Sequence, residues 1–431
     1  MSADIADVRG GVAGVAATYD AVRALADTCD AAGSVLRGWA GLGARVMADP
    51  DLVASAILSP LTFAEAEHAV VAATTGPDGL LPESLGWEAD AALVRCAVDR
   101  LQLADALVSA TVGSLDREVC LAVVPAALGI AAVLGPDALE DQVVAHPGLV
   151  QHAVHGAGAG TTGALLALAY GDDGTPRTTA RPDLVVPSGG EQPHDLTGLI
   201  DHLHQVALFS QGPDSPDNGT IEIQSYDAGT DGARHVVYLP GTDDLATLPW
   251  TKDDDIRDLP TDLRSDAGLP TGYQQGILDA MHQAGIGPHE PVLLVGHSLG
   301  GMDAAALASH AHGFDITNVV TAGSPTAQVH GFPEGTHVLS LEHQGDIVPT
   351  LDGAPNPDTV GQVTVTFEDG GTSIVDHHDY GHYLAGAAAV DASTDPSVVE
   401  QLDSLSTHGF LATDGRPPSV TSHVFQVVRA R

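Results

Sequence analysis

Residues 292–301, Val-Leu-Leu-Val-Gly-His-Ser-Leu-Gly-Gly, join a short apolar run to a helix through a turn too tight for bulky residues. Gly296 and Gly300 stand two before and two after Ser298, the G-x-S-x-G spacing of a nucleophile elbow. The run 292–295 reads as a strand buried on both faces. The alanine-rich stretch 299–312, stopped by Gly313, reads as a helix that can pack closely on a sheet. In such a turn the serine backbone is strained, its Oγ stands clear of the sheet edge, and the Leu299 N–H points at a developing oxyanion. A chain with 49 glycines spells this motif by chance; its strand–turn–helix setting gives it weight.

Around this turn the chain divides by texture. Its 431 residues exceed a single core, so two domains are expected. Residues 1–170 read as an all-helical domain, broken at Asp49-Pro50, Ser59-Pro60 and Gly76-Pro77-Asp78-Gly79. Residues 171–219 collect Gly, Asp, Pro, Thr and Ser and read as a linker with one short helix at 196–209. From 220 to 431, strands at 221–226, 236–239, 292–295, 318–322, 337–341, 363–367 and 423–428 alternate with helices at 272–284, 299–312 and 379–390. The expectation is an α/β fold, a doubly wound and mostly parallel sheet, preceded by the helical domain.

A formal net charge of −41, with Lys252 the single lysine among 16 basic residues, repels polyanions and excludes nucleic-acid binding. Residues 119–136 are uncharged, but Pro125, Gly129 and Gly135 interrupt them and Asp116 and Glu118 precede them. A buried core helix is the expectation there, with membrane association the lesser reading. Cys29, Cys96 and Cys120 read as buried thiols rather than a disulfide framework. The first residues lack a basic segment followed by an apolar core, so no ordinary signal peptide is expected and the default is cytoplasmic. The spelling Gly158-Ala159-Gly160-Thr161-Thr162-Gly163 matches a dinucleotide fingerprint, yet no strand precedes it and the reading is rejected.

A serine nucleophile needs a general base, and the base needs a carboxylate to hold its tautomer. In the chain order that goes with this elbow, the acid follows the serine and the histidine comes last. Asp346 sits on a turn just past the strand 337–341, with Glu342 and Asp352 as runner-up acids. The run Asp376-His377-His378-Asp379-Tyr380-Gly381-His382-Tyr383 offers three histidines. His378, directly before the N-cap candidate Asp379, is the favoured base and His377 the alternative. No cysteine accompanies these histidines, and neither a metal nor an organic cofactor is expected. A second oxyanion donor is expected after the strand 236–239, where Gly241 permits close approach and Thr242 offers its N–H and hydroxyl.

On these residues, 220–390 resembles the class 3 (fungal-type) lipases of the α/β-hydrolase superfamily. The ordered set is Gly241-Thr242, Trp250, the acids 253–255, Gly272-Tyr273, the elbow 296–301, Gly323-Ser324-Pro325, Asp346-Ile347-Val348-Pro349, and His377 or His378 with Tyr380 or Tyr383. The resemblance implies a triad of Ser298, Asp346 and the histidine, an oxyanion hole of Thr242 and Leu299, and hydrolysis of carboxylic esters through an acyl-enzyme. The substrate would be a small-molecule or lipid ester. Where that family carries an apolar lid, residues 243–269 are strongly acidic with few large apolar side chains, which points to soluble short-to-medium esters. Trp39-Ala40-Gly41 resembles the Trp-x-Gly hairpin of small proteins exported by type VII systems. The alternative reading is therefore a secreted effector whose helical domain binds a protein partner or serves export, with the hydrolase domain as cargo or idle scaffold.

Overall fold

The computed structural model of the chain describes residues 2–104, residues 151, 154 and 164, and residues 167–430 apart from 211, 213, 311, 372 and 414–416. These form two compact units. The stretch 119–136, the spelling at 158–163 and Cys120 lie outside the described residues. Among the described residues no helix is long and apolar enough to cross a membrane.

The helical unit begins at residue 15. It holds the helices Val15–Met47, Pro50–Leu58 and Pro60–Thr74, followed by helical residues 80–104. Prolines open the second and third, where the missing N–H costs nothing, and the Asp49 carboxylate accepts the N–H groups of Asp51 and Leu52. Small residues set the close approach: Ala26, Gly33, Ala40 and Gly43 are the buried positions of the long helix. A Cβ on Gly33 would come within 2.9 Å of the Ser84 carbonyl oxygen. Trp39-Ala40-Gly41 lies inside that uninterrupted 33-residue helix, with Trp39 exposed. It therefore does not form a turn between two helices, and the hairpin reading of this tripeptide is corrected.

The second unit is built on a nine-stranded sheet in the order β1-β8-β7-β6-β5-β4-β3-β9-β2. The strands are β1 (Asp4–Gly10), β2 (Pro176–Ala180), β3 (Thr220–Tyr226), β4 (Arg234–Leu239), β5 (Pro291–His297), β6 (Asp315–Ala322), β7 (His337–His343), β8 (Gln362–Glu368) and β9 (Val420–Arg429). From β4 to β8 neighbours run parallel; β1, β3, β9 and β2 join antiparallel. The chain thus holds an α/β unit with a mostly parallel sheet and a separate helical unit. Side chains along the central strands alternate between two buried layers. Val236, Tyr238, Leu293 and Val295 pack on one face with Leu199, Leu203 and Ala387; Val237, Leu239, Val292 and Leu294 pack on the other with Ile277, Met281 and Leu307. Burial on both faces explains why these strands read as continuous apolar runs.

Two boundaries differ from the expectation. Residues 2–14 belong to the sheet unit, because β1 pairs with β8 at the edge of the sheet. Residues 171–219 are no linker: β2 pairs with β9, and the helix Leu196–Ala207 buries Leu196, Leu199, Ile200, Leu203 and Val206 in the core. Its polar composition belongs to an edge strand opened by a proline and to the loops around the helix. Three further helices, Leu259–Asp266, Ile374–His377 and Pro396–Thr407, lie outside the elements expected from the sequence.

Candidate active site

The elbow sits where β5 ends and the helix Leu299–Ala308 begins. Ser298 has φ +53° and ψ −123°, a left-handed conformation for a residue with a Cβ. Its N–H donates to the Ala322 carbonyl at 3.0 Å, and its carbonyl accepts from Gly301 and Met302. A Cβ on Gly300 would overlap the Leu239 carbonyl oxygen, and one on Gly296 would overlap the Gly300 carbonyl. The spacing G-x-S-x-G is therefore demanded by backbone contact with β4 and within the turn. Leu299 is the first residue of the helix, so its N–H has no intrahelical acceptor.

The loop after β4 lies against the elbow: a Cβ on Gly241 would come to 3.0 Å from the Ser298 Cβ. The Thr242 hydroxyl donates to Asp262 Oδ1 at 2.7 Å. Burial holds the Asp262 carboxyl well above the usual range, against the effect of that hydrogen bond. Asp243 and Arg257 anchor the loop from beneath through Nε–Oδ2 and Nη2–Oδ1 contacts of 2.9 and 2.8 Å. Burial opposes the Arg257 charge and Asp243 more than restores it. Asp243 also accepts the Gly219 N–H, so this pair ties β3, β4 and the Thr242 loop together.

His378 Nδ1 and Asp346 Oδ2 are 2.6 Å apart. The same carboxylate oxygen accepts the Tyr383 hydroxyl at 2.6 Å, and Oδ1 accepts the Val348 N–H at 2.9 Å. Asp346 is fully buried in its side chain while the His378 ring is 21% exposed, so the pair has a dry inner end and an open outer end. His297 donates from Nε2 to the His378 carbonyl at 3.1 Å. Burial, then the neighbouring His378, hold His297 well below the ordinary histidine value and hence neutral. Ser298, His378, Gly241 and Thr242 line one cavity of about 740 Å³, whose apolar wall includes Leu259, Leu263, Met302, Val348 and Leu351.

His377, the alternative base, is directed away. It is buried with its ring stacked on His343 at 4.7 Å and lies against Gly345 and Gly371. Of the runner-up acids, Glu342 accepts from Asn356 and burial pushes it up to about 8; Asp352 accepts the Ala327 and Ala354 N–H groups and burial pushes it up to about 7. Ser298, His378, Thr242 and Leu299 are thus brought together with Asp346 behind His378, while His377, Glu342 and Asp352 are placed elsewhere. Asp262, His297 and the Arg257–Asp243 pair escaped the reading of the sequence. The one signal available for the last was an arginine set among aspartates in an acidic stretch.

His343, Asp369 and His382 bring three ligand-type atoms within 4.8 Å of one another, behind the His378 loop. Cys29 and Cys96 are free thiols in the helical unit, the first half-buried and the second exposed, not buried as expected. No family model, curated protein or solved structure matches the chain.

Proposed function

We propose that the chain is a serine hydrolase of the α/β-hydrolase type that cleaves carboxylic esters through an acyl-enzyme. The observation that carries this reading is the His378–Asp346 pair opening onto the same cavity as a serine held at positive φ. In this mechanism Ser298 Oγ attacks the ester carbonyl while His378 Nε2 takes its proton, the Nδ1–H remaining on Asp346. The N–H groups of Leu299 and Thr242 receive the oxyanion, the Thr242 hydroxyl being engaged with Asp262. His378 then protonates the leaving alkoxide, and a water repeats the sequence on the acyl-enzyme.

The acyl or alkyl part lies against the apolar wall. The cavity lining includes the exposed Asp379, while Asp243 is paired with Arg257 and Asp262 is buried on Thr242; with the net charge of −41 this disfavours anionic substrates and anionic interfaces. Leu245, which lines the cavity, is exposed, too small an apolar area within an acidic stretch to replace a lid. Soluble esters of short-to-medium acyl chains fit best. Fluorophosphonate labelling of wild type against Ser298→Ala is the test. The variant should melt within a few degrees of wild type, lose the label and lose hydrolysis by ~10⁴ or more; a purified variant that still labels and turns over ends the proposal.

A second reading, a partner-binding role for the helical unit, draws support from Ile57, Leu58 and Leu61, each more than 80% exposed around the Ser59-Pro60 corner. Polar substitution of the three should then abolish complex formation while leaving hydrolysis unchanged.

A further inference from the structure

The cluster behind the His378 loop is resolved by its proton positions. The Gly345 N–H donates to His343 Nδ1 at 3.0 Å, so that nitrogen is bare and the His343 proton sits on Nε2. That proton points at Asp369 Oδ1, 2.9 Å away. The same oxygen faces His382 Nδ1 at 2.6 Å, and His382 Nε2 faces Asp376 Oδ1 at 3.5 Å. Both nitrogens of His382 therefore look at carboxylates, an arrangement that favours the imidazolium. His343 has no lone pair left for a metal at its Asp369 side, which argues for a hydrogen-bonded network over a cation site.

This network touches both halves of the proposed catalytic pair. Asp376 lies two residues before His378 on the short helix Ile374–His377. Gly345 directly precedes Asp346. Tyr383, next to His382, holds the Asp346 oxygen that holds His378. Resting on the triad reading above, we propose that His382 is a positioning residue: as a cation strung between buried Asp369 and half-exposed Asp376, it clamps the 374–379 segment so that His378 stays on Asp346.

The titratable groups facing His382 are His343 from β7, Asp369 from beyond β8, and Asp376 and His377 from the short helix. Burial opposes its charge, but Asp369 and then Asp376 outweigh this and raise it above the ordinary 6.5. Burial, followed by His377, lowers His343, which stays neutral. The clamp therefore persists to higher pH than an ordinary histidine would allow and is released on the alkaline side of that, as His382 loses the proton it presents to Asp376.

The experiment is a kcat and KM profile against pH for wild type, His382→Gln and Asp376→Asn, with melting temperatures and zinc content of each. A ring-nitrogen NMR titration of His382 in Ser298→Ala is run alongside. Wild-type kcat should fall on an alkaline limb that follows the His382 titration. His382→Gln should lose that limb and ~10–100-fold in kcat, the scale of a misplaced catalytic group, with KM within about twofold. Asp376→Asn, which leaves the core untouched, should shift the limb to lower pH. Unchanged kcat in both variants overturns the proposal. So does a His382 ring already neutral at pH 7, or stoichiometric zinc in wild type that His382→Gln loses. The NMR titration reads the clamp without turnover, whereas absence of hydrolysis and labelling in wild type would refute the proposed function instead.

Discussion

Asp346→Asn changes the hydrogen-bonding sense of one side chain and almost none of its volume. In wild type, Oδ2 accepts from both His378 Nδ1 and the Tyr383 hydroxyl, and Oδ1 accepts the Val348 N–H. An asparagine keeping its oxygen toward Val348 places an NH₂ group where those two donors converge. The tyrosine hydroxyl can rotate to accept. The imidazole can accept only by moving its proton to Nε2, the atom that must take the serine proton. If the amide turns over instead, its NH₂ meets the Val348 N–H at 2.9 Å, so the buried site has no fully satisfied arrangement.

The wrong tautomer should lower kcat by ~10⁴, equivalent to ~5.5 kcal/mol at about 1.36 kcal/mol per tenfold. One imperfect buried hydrogen bond should cost ~1–3 kcal/mol of folding stability. Steady-state hydrolysis of p-nitrophenyl butyrate gives the first quantity and urea unfolding the second. KM should change little, because the carboxylate touches the base and not the substrate. A variant within tenfold of wild-type kcat would refute the reasoning, above all if Glu342→Gln or Asp352→Asn proved the impaired enzyme.

Three further outcomes follow from the geometry. His378→Ala should abolish turnover while His377→Ala costs at most about tenfold, because only His378 reaches Asp346; kcat of both variants at saturating ester decides between them. Gly300→Ala should destabilise by ~3 kcal/mol or more in denaturant unfolding, since its methyl meets the Leu239 carbonyl rather than a movable side chain; an unchanged midpoint would mean the turn can open. Burial holds Asp303 and Asp352 near 7 and Glu342 near 8, above an unfolded value of about 4. Their contribution to stability is complete below about pH 4 and is lost as pH rises through 7 to 8, so the melting temperature should be higher at pH 5 than at pH 8.5.

How far the sequence could be read depended on how local the causes were. The elbow is spelled within five residues, with Gly296 required by the turn itself and Gly300 by the approach of β4, so the signal is compact even though one of its causes is tertiary. The five parallel strands β4 to β8 announced themselves because both their faces are buried. β1 did not, for the opposite reason. Its sequence, Asp-Ile-Ala-Asp-Val-Arg-Gly, is an edge strand with mostly exposed side chains, a bulge between Ile5 and Asp7, and a partner more than 350 residues away. An Ala- and Asp-rich segment ahead of a long helix is indistinguishable from more helix until β8 exists to pair with it. The same holds for β2, whose partner β9 comes at the end of the chain.

The choice between His377 and His378 shows where local reading runs out. Both stand in one polar run, both have an aspartate beside them, and both have a tyrosine within reach. What separates them is the end of the short helix Ile374–His377. His377 is its last residue and turns inward onto His343, while His378 is the C-cap, at φ −91° and ψ 0°, and turns to Asp346. That helix is only four residues long, too short to hold itself. Its anchors are Ser373, which accepts the Asp376 N–H at 3.1 Å, and the contact of Asp376 with His382. The direction taken by the His378 imidazole is therefore set by residues on both sides of it, including one on the following helix, and it became legible only once β7 and β8 had brought His343 and Asp369 to the same place.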